Sequence, residues 1–391
     1  MPPRKKTSVA RSKAFIKRAH DFFSKLEDHE FYGPKVQHVF LYGEITPERL
    51  ETLSTDILEA NREGENESPA VNPRPIVIHI NSPGGNMHDG LAMRAILGRS
   101  KVPVCALVEG ISCSAATFVS IFAPYRVMCE DAVCLIHQYS SWMHGQASLI
   151  HSMLEEVDTV YRGLVEDYLQ HTKIPEKEMR DMLKHDMFMD AKWALSKGVT
   201  DRVVSPDATK PPRGLADTPL TEVLQSTTVN HVVLRQDAVN YGLENARCMN
   251  SVASADGDPK HVIVRPTYRS GFDTFDGVAL SNHVRAIRAP TFLLVDSYMD
   301  LVSVLPLLFC TRRAMYTHAT LNVDGSVFIT GAHLLDDVVH NSKVNFVITK
   351  SILKRCTKLP DDKIEGLKSA RTFFTAEDCL KYGIVDELID A

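Results

Sequence analysis

The sequence predicts an α/β fold, and two observations predict it. Strand-like apolar runs alternate with amphipathic helical stretches along the first half, and the same order returns, altered, after a Pro-rich break. A chain of 391 residues with 44% apolar content can bury a sizeable core and suits two domains better than one.

Taken in order, "VQHVFLYGEI" reads as a strand and "TPERLETLSTDILEAN" as a helix capped by Thr46. "RPIVIHI" is a buried strand ending at "NSPGG", and "MHDGLAMRAILGR" is helical. "VPVCALVE" is the next strand, "CSAATFVSIFA" a helix and "YRVMCEDAVCLIHQ" another strand region. One long helix closes the half, "GQASLIHSMLEEVDTVYRGLVEDYLQHT". Strand, helix and strand in succession call for crossover connections.

From Ser205 to about Leu224 the chain turns rich in Pro, Thr and Asp and loses periodicity, which marks a linker. Beyond it, "DGVALSNHVRAIRAPTFLLVDS" (276–297) aligns without a gap on "DGLAMRAILGRSKVPVCALVEG" (89–110). Pro103 and Pro290, Phe122 and Phe309, Arg126 and Arg313, and Met128 and Met315 keep that offset. "TAEDCLKYGIVDELI" likewise mirrors "DAKWALSKGVTDRVV". The expected organisation is a basic tail (1–30), a first domain (31–206), a linker (207–226) and a second, degenerate copy (227–391).

A net charge of -5 argues against nucleic-acid binding by the main body, because neutralising phosphates needs a basic face. The exception is the opening "MPPRKKTSVARSKAFIKR", which is basic and has no acid. It reads as a solvated tail, with a nuclear address, an organellar presequence or an acidic-partner site as alternatives. Eight cysteines form no CxxC pair, so reduced thiols in an intracellular, cytoplasmic protein are expected. His137, His144 and His151 recur every seven residues, but the first two fall in a loop-like stretch, and no metal is expected. The most apolar run, Val102 to Pro124, is broken by Glu109 and several serines, which argues against a bilayer span.

The first half holds the parts a serine hydrolase needs: a nucleophile, an imidazole, a carboxylate and amide donors for an oxyanion. Ser114 opens a predicted helix in the small-residue run "GISCSAATF", and the amide of Ala115 follows it. Gly85, in "NSPGG", has no side chain to obstruct its own amide. His137 ends the strand "AVCLIHQ", and Asp186 lies in "LKHDMFMDA". Each alone has a plainer reading, as a helix cap, a surface histidine or a turn aspartate. Only the combination is informative.

Those residues carry a resemblance to the proteolytic subunit of the Clp protease, ClpP, within the ClpP/crotonase fold. "VFLYGEI", "IHINSPGG", "GISCS", "LIHQ", "GQA", "HT" and "HDMFMDAKWALSKGVTD" fall in the family's order over residues 35–206. The fold class implied is two ClpP/crotonase-type domains, ββα superhelices, in tandem. The resemblance makes Ser114 the nucleophile, four residues after Gly110, and so passes over Ser112. It makes His137 the base, Asp186 the orienting acid ahead of Asp181 and Asp190, and the amides of Gly85 and Ala115 the oxyanion hole. No cofactor is implied. "HQYSSWMHGQA" departs from the family's Pro- and Gly-rich stretch, "REGENESPAVNPRP" is an insertion, and the basic tail replaces the segment that meets the unfoldase.

Under the repeat alignment the site positions of the second copy become Phe272, Leu301, Asp324 and Arg371, which resembles the inactive ClpR-type subunits. Family members form rings joined by long handle helices, and residues 146–170 resemble such a handle. The apolar stripe there, Leu149, Met153, Val157, Val160, Leu164 and Leu169, is open to a core reading as well. The partners implied are an unfolded protein or peptide substrate, a homo-oligomeric or mixed ring, and a separate AAA+ unfoldase, since no GxxxxGK loop occurs. No membrane partner is expected. The rival readings are a non-catalytic scaffold subunit, a crotonase-like acyl-CoA enzyme and a signal peptide peptidase A type.

Overall fold

The computed structural model describes residues 13–66, 74–138, 146–207, 223, 229–234, 261–266, 274–287, 289–323, 334–368 and 371–390. Within the segment read as a basic tail, α1 (Lys13–Phe23) buries Phe15, Ala19 and Phe23, which share one helical face. Phe23 stacks on Tyr125 with ring centroids 5.8 Å apart.

Two crossovers follow, built from β1 (Gln37–Tyr42), α2 (Pro47–Asn66), β2 (Ile76–Ser82), α3 (Met87–Leu97) and β3 (Val104–Cys113). The amide of Arg49 donates to Thr46 Oγ1 at 3.3 Å, so Thr46 caps α2 as the sequence suggests. Every residue of β2 and β3 is buried, the reason both read as nearly unbroken apolar runs. The lobe is completed by α4 (Thr117–Ser120), β4 (Tyr125–Cys129), β5 (Val133–Leu135), α5 (Ala147–His171), α6 (Glu176–Met182), β6 (Met189–Asp190), α7 (Ala191–Ser196) and β7 (Arg202–Val204). Its main path runs β1-β2-β3-β4-β7, all parallel. β3 serves two neighbours: Cys105–Val108 pair with β4, while Ile111–Cys113 pair with β5, which meets β6 antiparallel.

The carboxy-terminal lobe contains β8 (Val229–Leu234), β9 (His261–Pro266), α8 (Thr274–Ala286), β10 (Thr291–Val295), β11 (Tyr298–Asp300), α9 (Leu301–Val304), β12 (Arg312–Tyr316) and β13 (Thr320–Val323). It ends with α10 (Leu335–Cys356), α11 (Asp361–Gly366), β14 (Thr372–Phe374), α12 (Ala376–Lys381) and β15 (Glu387–Ile389). Its main sheet runs β8-β9-β10-β12-β15, again all parallel. A small sheet places β13 between β11, parallel, and β14, antiparallel. The two lobes therefore pair their strands in one pattern, with β10 and β11 standing where β3 is continuous.

Matching side chains do matching work. Arg126 holds Asp201 through Nε at 3.0 Å, and its Nη1 donates to the carbonyl of His171 at 2.7 Å. Arg313 holds Asp386 through Nε at 3.1 Å and donates to the carbonyl of Cys356 at 2.6 Å. Each arginine thus ties the end of its lobe's long helix to the loop before the last strand.

The lobes share a core across their seam. Phe40, Ile111 and Val133 of the first lobe pack into the same apolar cluster as Phe275, Val278 and Leu293 of the second. Fully buried Glu109 lies at this seam, hydrogen-bonded to Tyr42, to His79 Nδ1 at 2.9 Å and to His283 Nε2 at 3.2 Å. The stripe on α5 divides: Leu164 is buried, Val160 and Leu169 pack against the core, and Met153 and Val157 nearer the start of the helix are half-buried. No helix among the described residues is long and apolar enough to cross a membrane.

Candidate active site

The site is assembled where β3 ends. Ser114 leaves that strand into a 3-10 turn, Ser114–Ala116, before α4, so the helix expected over 113–123 is split and tightened at its start. Its φ of 52° is the only positive value at a non-glycine position among the described residues. An L-residue is held there only when its surroundings over-determine it. They do so from two sides. Thr117 Oγ1 donates to the carbonyl of Ser114 at 2.5 Å, and its one proton being spent there, the Tyr168 hydroxyl donates to Thr117 at 2.6 Å. On the other side Gly84, at φ 96°, lies so close that a Cβ would stand 2.5 Å from the Cys113 carbonyl oxygen and 2.7 Å from Ser114 Cβ.

His137 follows β5 and is aimed at the turn, with Nε2 2.8 Å from Ser114 Oγ. Its Nδ1 lies 2.5 Å from Asp186 Oδ1. A carboxylate only accepts, so Nδ1 carries the proton and Nε2 is left to accept from the serine hydroxyl. The amide of Gln138 donates to the carbonyl of Leu183 at 2.8 Å, joining the histidine's strand end to the loop that bears Asp186. His137 and Asp186 side chains are 23% and 16% exposed, so the pair is screened from water without being sealed.

Ser114, Ala115, His137 and Gly85 line one cavity of about 270 Å³, with Phe118, Leu164 and Tyr168 as apolar lining. The hydrogen bonds Ile45 N–H to Gly84 O (2.7 Å) and Asn86 N–H to Ile45 O (2.9 Å) flank Gly85 and use neither its N–H nor its C=O. Gly85 has φ 143°, and a Cβ there would fall 2.4 Å from the Ile45 carbonyl oxygen. Buried Tyr168 has its phenol pushed well above the ordinary tyrosine range by burial, so it remains a neutral donor.

Residues 34–207 match the Clp protease family model. The match spans β1 to β7 and includes Ser114, His137, Asp186, Gly85 and Ala115. It supports the ClpP family for this lobe and a ClpP-like peptidase, a hydrolase, as its class of activity. The carboxy-terminal lobe lies outside it.

The competing residues have other occupations. Ser112 is fully buried and its hydroxyl pairs with that of Ser120 at 2.8 Å. Asp190 caps α7 by accepting from the Trp193 amide at 2.8 Å. Asp181 is a largely exposed partner of Lys184. Of the second-copy positions, Leu301 is buried at the start of α9, and Arg371 Nε donates to Asn322 Oδ1 at 3.2 Å. Phe272 and Asp324 lie outside the described residues, as does His144. Thr117 and Tyr168 went unread in the sequence, because a threonine and a tyrosine on helices carry no signal of the turn they brace.

Among the described residues one group of metal-ligand type converges, His79, Glu109 and His283, with candidate ligand atoms within 4.8 Å of one another. Hydrogen bonds join all three, and among the described residues His283 Nδ1 is buried without a partner. Burial, with His79 adding to it, pushes His38 down to about 3, so its neutral ring donates to the Gly33 carbonyl through Nε2 (3.1 Å) and accepts from His79 at Nδ1 (2.9 Å). His79 Nδ1 lies 2.9 Å from Glu109 Oε1, which continues the chain from His38, and burial disfavours the cation of His79 as well. Burial works to raise the Glu109 carboxyl, and the imidazoles of His283 and His79 outweigh it, holding it well below the usual carboxylate range.

Proposed function

We propose that the chain is a ClpP-like serine endopeptidase subunit, cutting peptide bonds of unfolded proteins or peptides with Ser114, His137 and Asp186. One observation carries the reading: a hydroxyl, an imidazole and a carboxylate in series at 2.8 and 2.5 Å, opening on a cavity lined by two backbone positions suited to an oxyanion hole. His137 takes the Ser114 proton as the hydroxyl attacks the carbonyl and returns it to the leaving amine, while Asp186 stabilises the imidazolium. The amides of Gly85 and Ala115 hold the negative oxygen. A water molecule then attacks the acyl-enzyme by the same route, with His137 again as base.

In this reading the chain is a tandem duplication whose carboxy-terminal copy is degenerate and structural. What supports it is the common strand path of the two lobes, the matched arginines, and leucine and arginine at the positions of nucleophile and acid. The subunit works within a ring. Two covalently joined copies alternating around it require an even number of lobes, which excludes a sevenfold ring of this chain alone; three chains make a pseudo-sixfold one. The native mass of the assembly tests the count, and an odd number of lobes per ring refutes it.

A fluorophosphonate probe tests the chemistry. The wild type is expected to be labelled at Ser114 and S114A not at all, whereas a subunit serving only as scaffold leaves both unlabelled. A crotonase-like acyl-CoA reaction needs no serine–histidine pair, so labelling that depends on His137 also rules against it.

A further inference from the structure

Over its first turns helix α10 (Leu335–Cys356) presents its faces the wrong way round for a surface helix, although Phe346, Ile348, Ile352 and Leu353 are buried further along. Leu335, Val339 and Val347 are exposed at 78%, 44% and 62%, while Asp337, Asn341 and Asn345, spaced one turn apart, are buried. Buried polar groups cost free energy unless hydrogen-bonded, so their partners show what the inversion serves.

The partners of Asp337 and Asn341 belong to the loop of the other lobe that bears Asp186. Asp337 Oδ2 accepts from the backbone N–H of Asp186 at 2.9 Å, and Asn341 Nδ2 donates to the carbonyl of Asp186 at 2.6 Å. Asn341 Oδ1 accepts from the N–H of Phe188 at 2.8 Å, and His340 Nε2 donates to the Phe188 carbonyl at 2.9 Å. Asp337 also faces His185 Nδ1 at 3.2 Å. Residues 185–188 belong to no helix or strand, so α10 supplies the backbone partners that regular structure otherwise provides. Both main-chain polar groups of Asp186 are thus held from the carboxy-terminal lobe, leaving its carboxylate fixed toward His137.

We propose that Asp337 and Asn341 are positioning residues of the active site: the lobe without chemistry of its own holds the acid of the other lobe in register with His137. This rests on the peptidase reading above. An imidazolium forms at His137 during attack, and an acid displaced by about 1 Å costs on the order of 100-fold in rate.

The test is the fluorophosphonate labelling rate of Ser114, normalised to the folded fraction, in D337A, N341A and the conservative D337N. Expected are a roughly 100-fold fall in the maximal labelling rate for D337A and N341A, with half-saturation unchanged within about twofold. D337N, which keeps an acceptor for the Asp186 amide, is expected to recover most of the rate. In a D186A background D337A is expected to cost nothing more, since the acid it positions is gone. Wild-type rates per folded molecule in both alanine variants, or a full additional loss in the D186A background, overturn the proposal while leaving the peptidase reading intact. A wild type that is never labelled refutes the peptidase reading, and this proposal with it.

Discussion

Ser114 and Leu301 stand at the same step of two similarly paired sheets, each opening the turn that follows a parallel strand pairing, β3 with β5 and β11 with β13. In the second lobe Asp300 caps that turn by accepting from the Ser303 amide at 2.7 Å, and Leu301 is buried in an ordinary helical start. In the first lobe the turn is driven to φ 52° and braced by Thr117, Tyr168 and Gly84. The fold therefore does not require the strain. Under the peptidase reading it is kept where a hydroxyl is presented, while the second lobe, with Leu301 at that step, has the cheaper backbone.

The comparison is broken most severely by exchanging the two residues. S114A is expected to lower turnover by four orders of magnitude or more, and L301S in that background to restore nothing, because a serine there gains no imidazole or elbow. Probe labelling and peptide hydrolysis check this. Recovery of either by L301S means that the second lobe retains a working site.

G84A comes next. Its Cβ would meet backbone atoms at 2.5 Å rather than the yielding end of a side chain, so the Ser114 turn itself must move. A fall of at least about 100-fold in kcat is expected, with a loss of stability that thermal melting records. Y168F keeps the ring and removes only the donor to Thr117, so a smaller cost of about 1 kcal/mol is expected.

Much of this was legible in the sequence because it depended on local pattern. β2 and β3 announce themselves as apolar runs, and Arg126 and Arg313, which share the offset of the repeat alignment, make matching bonds. The convergence of Ser114, His137 and Asp186 was legible in combination, through glycines at positions only glycine fills and a histidine at a strand end. What the sequence hid lies in contacts between distant segments. Asp337 and Asn341 are polar side chains with no motif around them, and nothing local shows that they are buried against residues 185–188. The seam of Glu109 with His283 was hidden for the same reason: the partners are 174 positions apart.

Where the lobes agree, equal losses are expected. R126A and R313A each remove an arginine that binds a carboxylate and the last carbonyl of a long helix, so each is expected to cost about 2–3 kcal/mol by chemical denaturation. An R313A cost near zero beside a large R126A cost would show that the second lobe is held by the first rather than by its own ties.

At the seam the lobes share charge, and acid is what loosens it. His38 titrates at about 3 in the folded protein against about 6.5 in an unfolded chain, because burial and His79 disfavour its cation. Between those values the unfolded chain binds a proton that the folded one refuses, so stability is complete above about pH 6.5 and declines as the pH falls toward 3. The slope is at most about 1.4 kcal/mol per pH unit from this one group. Glu109, held low, contributes fully above the ordinary carboxyl value of 4.5 and loses that contribution as the pH falls from there toward its lower folded value, so the first decline belongs to the imidazole. Melting temperatures between pH 7.5 and 4.5 are expected to fall in the wild type, and to fall less steeply in H38Q, which retains a side-chain amide beside Gly33 and His79 but has nothing to titrate. Parallel curves for the two proteins would place the acid sensitivity elsewhere than at the histidine that ends this network.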